Sequence, residues 1–374
     1  MPALSTTEIR LLKETARRYA ESSLRPQVRR RAELTDPPVK VVNAFAELGF
    51  GLVAIPKDMG GLALGPLAMS LVAEAMAAGD VNTAFALPQP GAFGEALVRL
   101  GSPVQRARFG HAFRLSPERT WGSYAFCDAG AVQAAPNADG SWRLNGAVPG
   151  IWHIGRADRL ILTVALGGAE HLAVVLPLPY NGVSIGAFDR PLGLPMGAPA
   201  AIDLHNVVIP KDQVLASGDV TGALALMYAN LDLTLASLAL GAARAASAYV
   251  LSYAEERRQA GSPLAHFHSM GFLLVDMHLA CEAALKRVRE AASAAQGSAL
   301  GVHFHKPSDV VDLGDLIAGI AAARAEAEEV AFFVTDSAEQ ILDDGHEDIL
   351  AHPIAAWHQD VKQLADVYRR PPGL

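Results

Sequence analysis

The sequence predicts a mainly helical protein with one β-rich module near its middle. Three observations carry that reading. Apolar residues recur at helical spacing through the first 118 residues; the pattern shortens to strand-like runs between about Thr120 and Ala216; alanine- and leucine-rich stretches too long for strands resume from about Gly222. The expected organisation is a helical region over 1–118, a β region over 119–217 and a helical region over 218–374.

Ser5 followed by Glu8 has capping-box spacing, with Ile9, Leu12, Ala16 and Ala20 behind it on one helical face. Arg25-Pro26 reads as the stop of that helix, because proline lacks the N–H that the next turn needs. A second helix is expected from Val39 to Leu48, closed by Gly49, and two more over Leu67–Ala78 and Ala92–Leu100, the latter closed by Gly101. In the middle, Asp139-Gly140 before Trp142-Arg143-Leu144 signals a hairpin, as does Gly167-Gly168 between the apolar runs Leu160–Leu166 and His171–Leu176. Ile202–Ile209 alternates and stops at Pro210; strands at this spacing argue for a small barrel or sandwich. The expected long helices cover Leu231–Arg257, Phe267–Ala295 and Asp309–Leu342, with a loop over Gly297–Ser308. Alanine-rich helices with so few charges must bury much of their surface against one another or a second chain.

Composition narrows the function. Of 374 residues, 51% are hydrophobic, too many for a disordered chain. Thirty-one basic against 39 acidic side chains give a net charge of −8, which argues against a nucleic-acid binder despite the short Arg29-Arg30-Arg31 cluster. Two cysteines, Cys127 and Cys281, cannot build a disulfide framework. Asp232 and Arg244 interrupt the most apolar stretch, Gly222–Tyr253, and Glu8, Arg10, Lys13 and Glu14 are unlike a signal peptide. A soluble cytoplasmic protein, bound to neither membrane nor nucleic acid, is the expectation. There is no P-loop, no G-x-G-x-x-G after a strand, no G-x-S-x-G and no H-E-x-x-H. The pairs His266/His268 and His303/His305 have no accompanying Cys or carboxylate cluster, so no metal site is expected.

Whole phrases say more. Gly51-Leu-Val-Ala-Ile-Pro56-Lys-Asp-Met-Gly60-Gly61, Leu100-Gly101-Ser102-Pro103-Val104-Gln105, Leu144-Asn145-Gly146 with Ala157-Asp158, Pro191-Leu-Gly193-Leu-Pro-Met-Gly197 with Val207-Val-Ile-Pro210, and Tyr253-Ala-Glu-Glu-Arg257-Arg-Gln-Ala-Gly261-Ser-Pro263 with Phe267 and His268 occur in this order, with Gln340, Pro353, Asp360 and Lys362 after them. Together they resemble the acyl-CoA dehydrogenase family over residues 5 to 368. The resemblance implies an N-terminal helical domain, a central β-barrel and a C-terminal four-helix bundle. It also implies FAD as cofactor, an acyl-CoA thioester as substrate, assembly as a homodimer or homotetramer or with a related chain, and an electron-transfer flavoprotein as the acceptor of electrons. The implied reaction is α,β-dehydrogenation, in which a glutamate takes the α-proton and the flavin takes the hydride.

Matching the phrases residue by residue, the implied cofactor contacts are Phe126, Cys127, Ile151, Trp152, Arg257, His268 and Gln340, with Arg257 suited to a pyrophosphate. The position of the family's glutamate falls on Tyr368, and its alternative position on Thr234; neither is a carboxylate. Asp232 and Asp366 stand two residues away, about 200° round a helix. Cys127 replaces a hydroxyl, Ala260 an aromatic, and Asp343-Asp344 two glycines. Three functions follow from these departures: a dehydrogenase whose base comes from elsewhere (Tyr368, Asp366, Asp232, His346, His352 or His358), a base-less subunit of a hetero-oligomeric dehydrogenase, or a flavin-dependent monooxygenase on the same fold.

Overall fold

The computed structural model describes residues 6–28, 34–88, 91–116, 121–296, 298, 312–342 and 353–371. Ser5, the Arg29-Arg30-Arg31 cluster, His303, His305, Asp343, Asp344, His346 and His352 lie outside the described residues.

The N-terminal part holds α1 (Thr6–Tyr19), α2 (Arg25–Val28), α3 (Val39–Glu47), α4 (Gly65–Ala77), α5 (Val81–Ala86), α6 (Gly91–Leu100) and α7 (Pro103–Leu115). The expected stop at Arg25-Pro26 is passed. A π-helical turn, Ala20–Leu24, joins α1 to α2, and the Arg25 N–H donates to the Ala20 carbonyl five residues back. The wider turn makes room for a proline ring that a regular turn would clash with. Gly49 closes α3 from the left-handed region at φ 70°, where a side chain would be strained. In this N-terminal part α5 and α7 went unread. The start of α7 is nonetheless marked in the sequence: Ser102 and Gln105 cap it reciprocally, the Ser102 N–H donating to Gln105 Oε1 at 3.0 Å and the Gln105 N–H to Ser102 Oγ at 3.3 Å.

The β region is not a barrel. Its strands are β1 (Gly122–Cys127), β2 (Val132–Pro136), β3 (Trp142–Ile151), β4 (Arg159–Gly167), β5 (Glu170–Pro177), β6 (Val183–Phe188), β7 (Ala200–Ile209) and β8 (Val214–Asp219). They form two separate four-stranded sheets, β1-β4-β5-β8 and β2-β3-β7-β6. The first is mixed, with β1 parallel to β4; the second is antiparallel throughout. A closed barrel needs strands that alternate between an inner and an outer face, whereas β4 and β5 are buried on both. Leu160, Leu162, Val164, Leu172, Val174 and Leu176 pack against the second sheet, in a core shared with Leu144, Ile202 and Val207. Ile161, Ala173 and Val175 turn the other way and pack with Phe93, Leu97 and Tyr228 of the helices. The first sheet is therefore the middle of three layers, and its apolar runs are those of a strand covered on each side.

The helical region after it begins with α8 (Thr221–Glu256), followed by the short ribbon β9 (Arg258–Gln259) and β10 (Ser262–Pro263), then α9 (His268–Gln296), α10 (Leu313–Leu342) and α11 (Ile354–Leu364). α8 packs against α4, α6, α9, α10 and α11. It is long and apolar enough to cross a membrane, yet 78% of its most apolar window is buried inside the fold, as befits a core helix. Small residues make this packing possible: Ala239, Ala242, Ala243 and Ala246 share one core with Ala73 and Ala77 of α4. The buried Glu74 carboxylate joins three helices, accepting from Arg289 at 2.7 Å and pairing with Arg244 at 2.6 Å.

Candidate functional site

A mainly apolar cavity lies between α4, α6 and α8. Met69, Leu87, Leu231, Leu235 and Leu238 supply its apolar wall, and Glu95, Asn230, Thr234, His153 and Tyr368 its polar groups. Asn230, Thr234 and Leu238 recur every four residues, so α8 presents them on one face. The Thr234 hydroxyl donates to the Asn230 carbonyl at 3.1 Å.

Tyr368 reaches the cavity because a buried charge network fastens the segment that carries it. Asp232, on α8 but facing α10, accepts from Arg324 and from Arg370, each at 2.7 Å. Arg324 also donates to the Val367 carbonyl at 3.1 Å and to Glu328 at 2.8 Å. Two arginines thus hold the chain on either side of Tyr368, whose φ of 47° lies in the left-handed region. Burial, then the neighbouring Tyr124, pushes the Tyr368 phenol above its ordinary range, so it is neutral and a donor at physiological pH. Asp232 is committed to its arginines, and the exposed Asp366 pairs with Arg369 at 2.5 Å.

Glu95 is the residue that sequence reasoning missed. It comes from the middle of α6, whose buried face is otherwise Ala92, Phe93, Ala96 and Leu97. The Asn230 side-chain amide donates to its Oε2 at 3.1 Å, and Arg99 Nε stands 3.7 Å away. Burial raises its carboxyl pKa against the opposing pull of Arg99 and Asn230. The one signal in the sequence was a single acid inside an apolar helix.

The expected cofactor contacts fall into two groups. Cys127 and Ile151 are buried in the core between the sheets, and burial, then Asp128, raises the Cys127 thiol. Phe126 faces the helices and stands 5.9 Å from the His171 ring. Trp152 packs edge-on to Phe85 at 5.6 Å, and its carbonyl accepts from Ser123 Oγ at 2.6 Å. None of these four lines the cavity; their neighbour His153 does. Arg257, His268 and Gln340 are exposed. Arg257 caps α8 23 residues beyond Thr234, about 34 Å along the axis at 1.5 Å per residue. Leu233 and Leu240 of α8 share a core with Leu316, Ile320 and Ala327 of α10, and Val250 and Ala254 share another with Val334, Ala338 and Ile341, so α10 runs alongside α8 in the same direction; α9 starts where α8 ends. His268 and Gln340 therefore lie towards the same far end as Arg257, and one chain does not bring them to the cavity.

His153 also lines a second cavity of about 1000 Å³, shared with Arg156, Phe188, Arg190, Met196 and Gln359. Its Nδ1 is buried with no hydrogen-bond partner. Burial, then Arg156, keeps its imidazole neutral, lowered to about 3. An unfilled polar atom where two cavities meet, beside guanidinium and aromatic groups, fits an aromatic cofactor with polar edges. Elsewhere, Asp336, Glu339 and His358 bring one ligand atom each within 4.8 Å of the others. His358 Nδ1 is hydrogen-bonded to Thr335 at 2.8 Å, and none of the three lines the cavity.

Residues 6–113 match the acyl-CoA dehydrogenase N-terminal domain, and residues 229–364 the acyl-CoA dehydrogenase C-terminal domain. The chain belongs to the acyl-CoA dehydrogenase family. This member is 27% identical over 287 residues to the short-chain specific acyl-CoA dehydrogenase of Bos taurus mitochondria, covering 73% of this chain and 69% of that one. It is 28% identical over 347 residues to the probable acyl-CoA dehydrogenase FadE25 of Mycobacterium tuberculosis, covering 88% and 84%. Its fold matches butyryl-CoA dehydrogenase from Megasphaera elsdenii with a TM-score of 0.84 at 24% identity, over 98% of this chain and 96% of that one. An oxidoreductase on the acyl-CoA dehydrogenase fold, of a family of FAD flavoproteins, is what these likenesses establish for it.

Proposed function

We propose that this protein is an FAD-dependent oxidoreductase that desaturates an acyl-CoA thioester between the α and β carbons. The observation that carries the reading is the cavity's two-part lining: an apolar wall on α4 and α8 takes an acyl chain, and a cluster of polar groups takes its thioester end. When bound, FAD supplies the acceptor for the β-hydride. Tyr368, neutral and fastened at the cavity, donates a hydrogen bond to the thioester end and keeps water out. His153 holds the flavin side, with Phe85 and then Trp152 packed behind it, while Arg257, His268 and Gln340 reach the phosphates and adenosine of a neighbouring subunit's cofactor. An electron-transfer flavoprotein then takes the electrons.

The test is the absorbance spectrum of the purified protein. A flavin band that bleaches when butanoyl-CoA or octanoyl-CoA is added without oxygen supports the reading; a colourless protein that takes up no added FAD refutes it. Arg257→Ala should raise the fraction of flavin lost on dialysis several-fold while moving the melting temperature little, since its side chain is solvent-exposed. Unchanged flavin occupancy would remove Arg257 from the cofactor site. A second copy of the chain has a face to dock on: Phe272, Val275 and Leu279 make an apolar stripe on α9, with Phe272 68% exposed. Phe272→Asp should shift the native mass towards the single chain, read by native mass spectrometry.

A further inference from the structure

Among the described residues lining the cavity, Glu95 is the one carboxylate. Its surroundings are not those of a surface ion pair. Such a pair four residues apart on a helix contributes little and stays solvated, whereas the Glu95 and Arg99 side chains are 18% and 12% exposed. The Arg99 Nε distance of 3.7 Å is that of a charge pair rather than a hydrogen bond. The hydrogen bond Glu95 does accept comes from across the helix interface, from Asn230, and falls on Oε2. Oε1 accepts none among the described residues. One oxygen is pinned and the other is left for something else. The pinning places the carboxylate beside Asn230, one turn of α8 (about 5.4 Å) from Thr234 on the same helix face. Tyr368, which lines the same cavity, has a phenol that cannot take a proton near neutral pH.

We infer that Glu95 is the proton acceptor of this protein, acting on the carbon next to the thioester carbonyl. The inference rests on the acyl-CoA reading above. In the step, the α C–H bond breaks, the proton passes to the free Glu95 oxygen to give a carboxylic acid, and the electron pair stays on the substrate as the thioester enolate. Asn230 holds the carboxylate in position, and Arg99 stands beside it as an opposing charge. Glu95 reaches the substrate from α6, an element separate from the two, α8 and the segment after α11, on which Thr234 and Tyr368 lie.

The experiment is deuterium exchange at the α carbon, which requires no net oxidation. Butanoyl-CoA and octanoyl-CoA are incubated in D₂O with the holoprotein, and incorporation is read by mass spectrometry alongside flavin bleaching and thioester binding. The wild type should exchange. Glu95→Gln, nearly isosteric, should bind the thioester but lose about 100-fold or more in exchange, the scale of a lost general base. Exchange in Glu95→Gln within threefold of wild type, with the wild type binding thioester and bleaching, overturns the Glu95 assignment alone. A wild type that neither binds these thioesters nor exchanges overturns the acyl-CoA reading and the assignment together. Should Glu95→Gln fail to fold, Glu95→Asp decides: a carboxylate withdrawn by one methylene should slow exchange at least fivefold, and an unchanged rate counts against the role.

Discussion

Replacing Asp232 with alanine should cost about 3–5 kcal/mol of stability, the usual penalty for breaking a buried ion pair from one side. Asp232 is 3% exposed and is the shared acceptor of Arg324 and Arg370. Without it two guanidiniums remain, one of them 10% exposed, with too few anions to compensate them. Arg324 keeps Glu328 and a backbone carbonyl, but Arg370 has no second carboxylate among the described residues. The melting temperature should fall, and Tyr368 should lose its fixed place, because Arg370 is two residues from it. Arg370→Ala separates the effects: it removes the fastening and leaves Asp232 paired with Arg324. That variant should be less destabilised than Asp232→Ala while its thioester affinity drops comparably. Equal melting temperatures for Asp232→Ala and the wild type would mean that the network carries no stability.

Gly241→Val should be nearly as damaging, about 3 kcal/mol, the upper range for overfilling a packed core. Gly241 sits on α8 where it crosses α4. A Cβ there would overlap the Glu74 backbone carbonyl and stand 2.9 Å from Ala77 Cβ. Neither neighbour can swing aside, since one is backbone and the other has no torsion to change. The helices would have to separate, opening the alanine-rich contact and pulling the Glu74 carboxylate from Arg244 and Arg289. Urea unfolding should register the loss. A Gly241→Val midpoint equal to that of the wild type would show that the two helices have room to spare.

How far these features were legible in the sequence depends on what each one rests on. Helices such as α3, α4, α6, α9 and α10 were readable because periodicity and terminal glycines are local properties. The alanine content of α8 announced close packing, although its start at Thr221 came ten residues before the expected Leu231. The barrel was wrong for a physical reason that the residues themselves carry. Leu160–Leu166 and His171–Leu176 are apolar at nearly every position, which marks a sheet covered on both faces, and a barrel strand alternates. Tyr368 and Thr234, 134 residues apart, line one cavity. Glu95 was hidden because its meaning arises only when α6 packs on α8, bringing together residues 135 apart in sequence. The Asp232 network was hidden for the same reason, its two arginines lying 92 and 138 residues away.

The first sheet, β1-β4-β5-β8, borrows its cover from either side, from the second sheet and from helices at both ends of the chain. Cutting the molecule at the visible changes of periodicity would therefore strip a wall bare rather than free a self-sufficient piece. A fragment beginning at the first strand should come out of solution as aggregate, and the intact chain should melt in one step. What reads along the sequence as three successive segments shares its cores across the joins in the folded state.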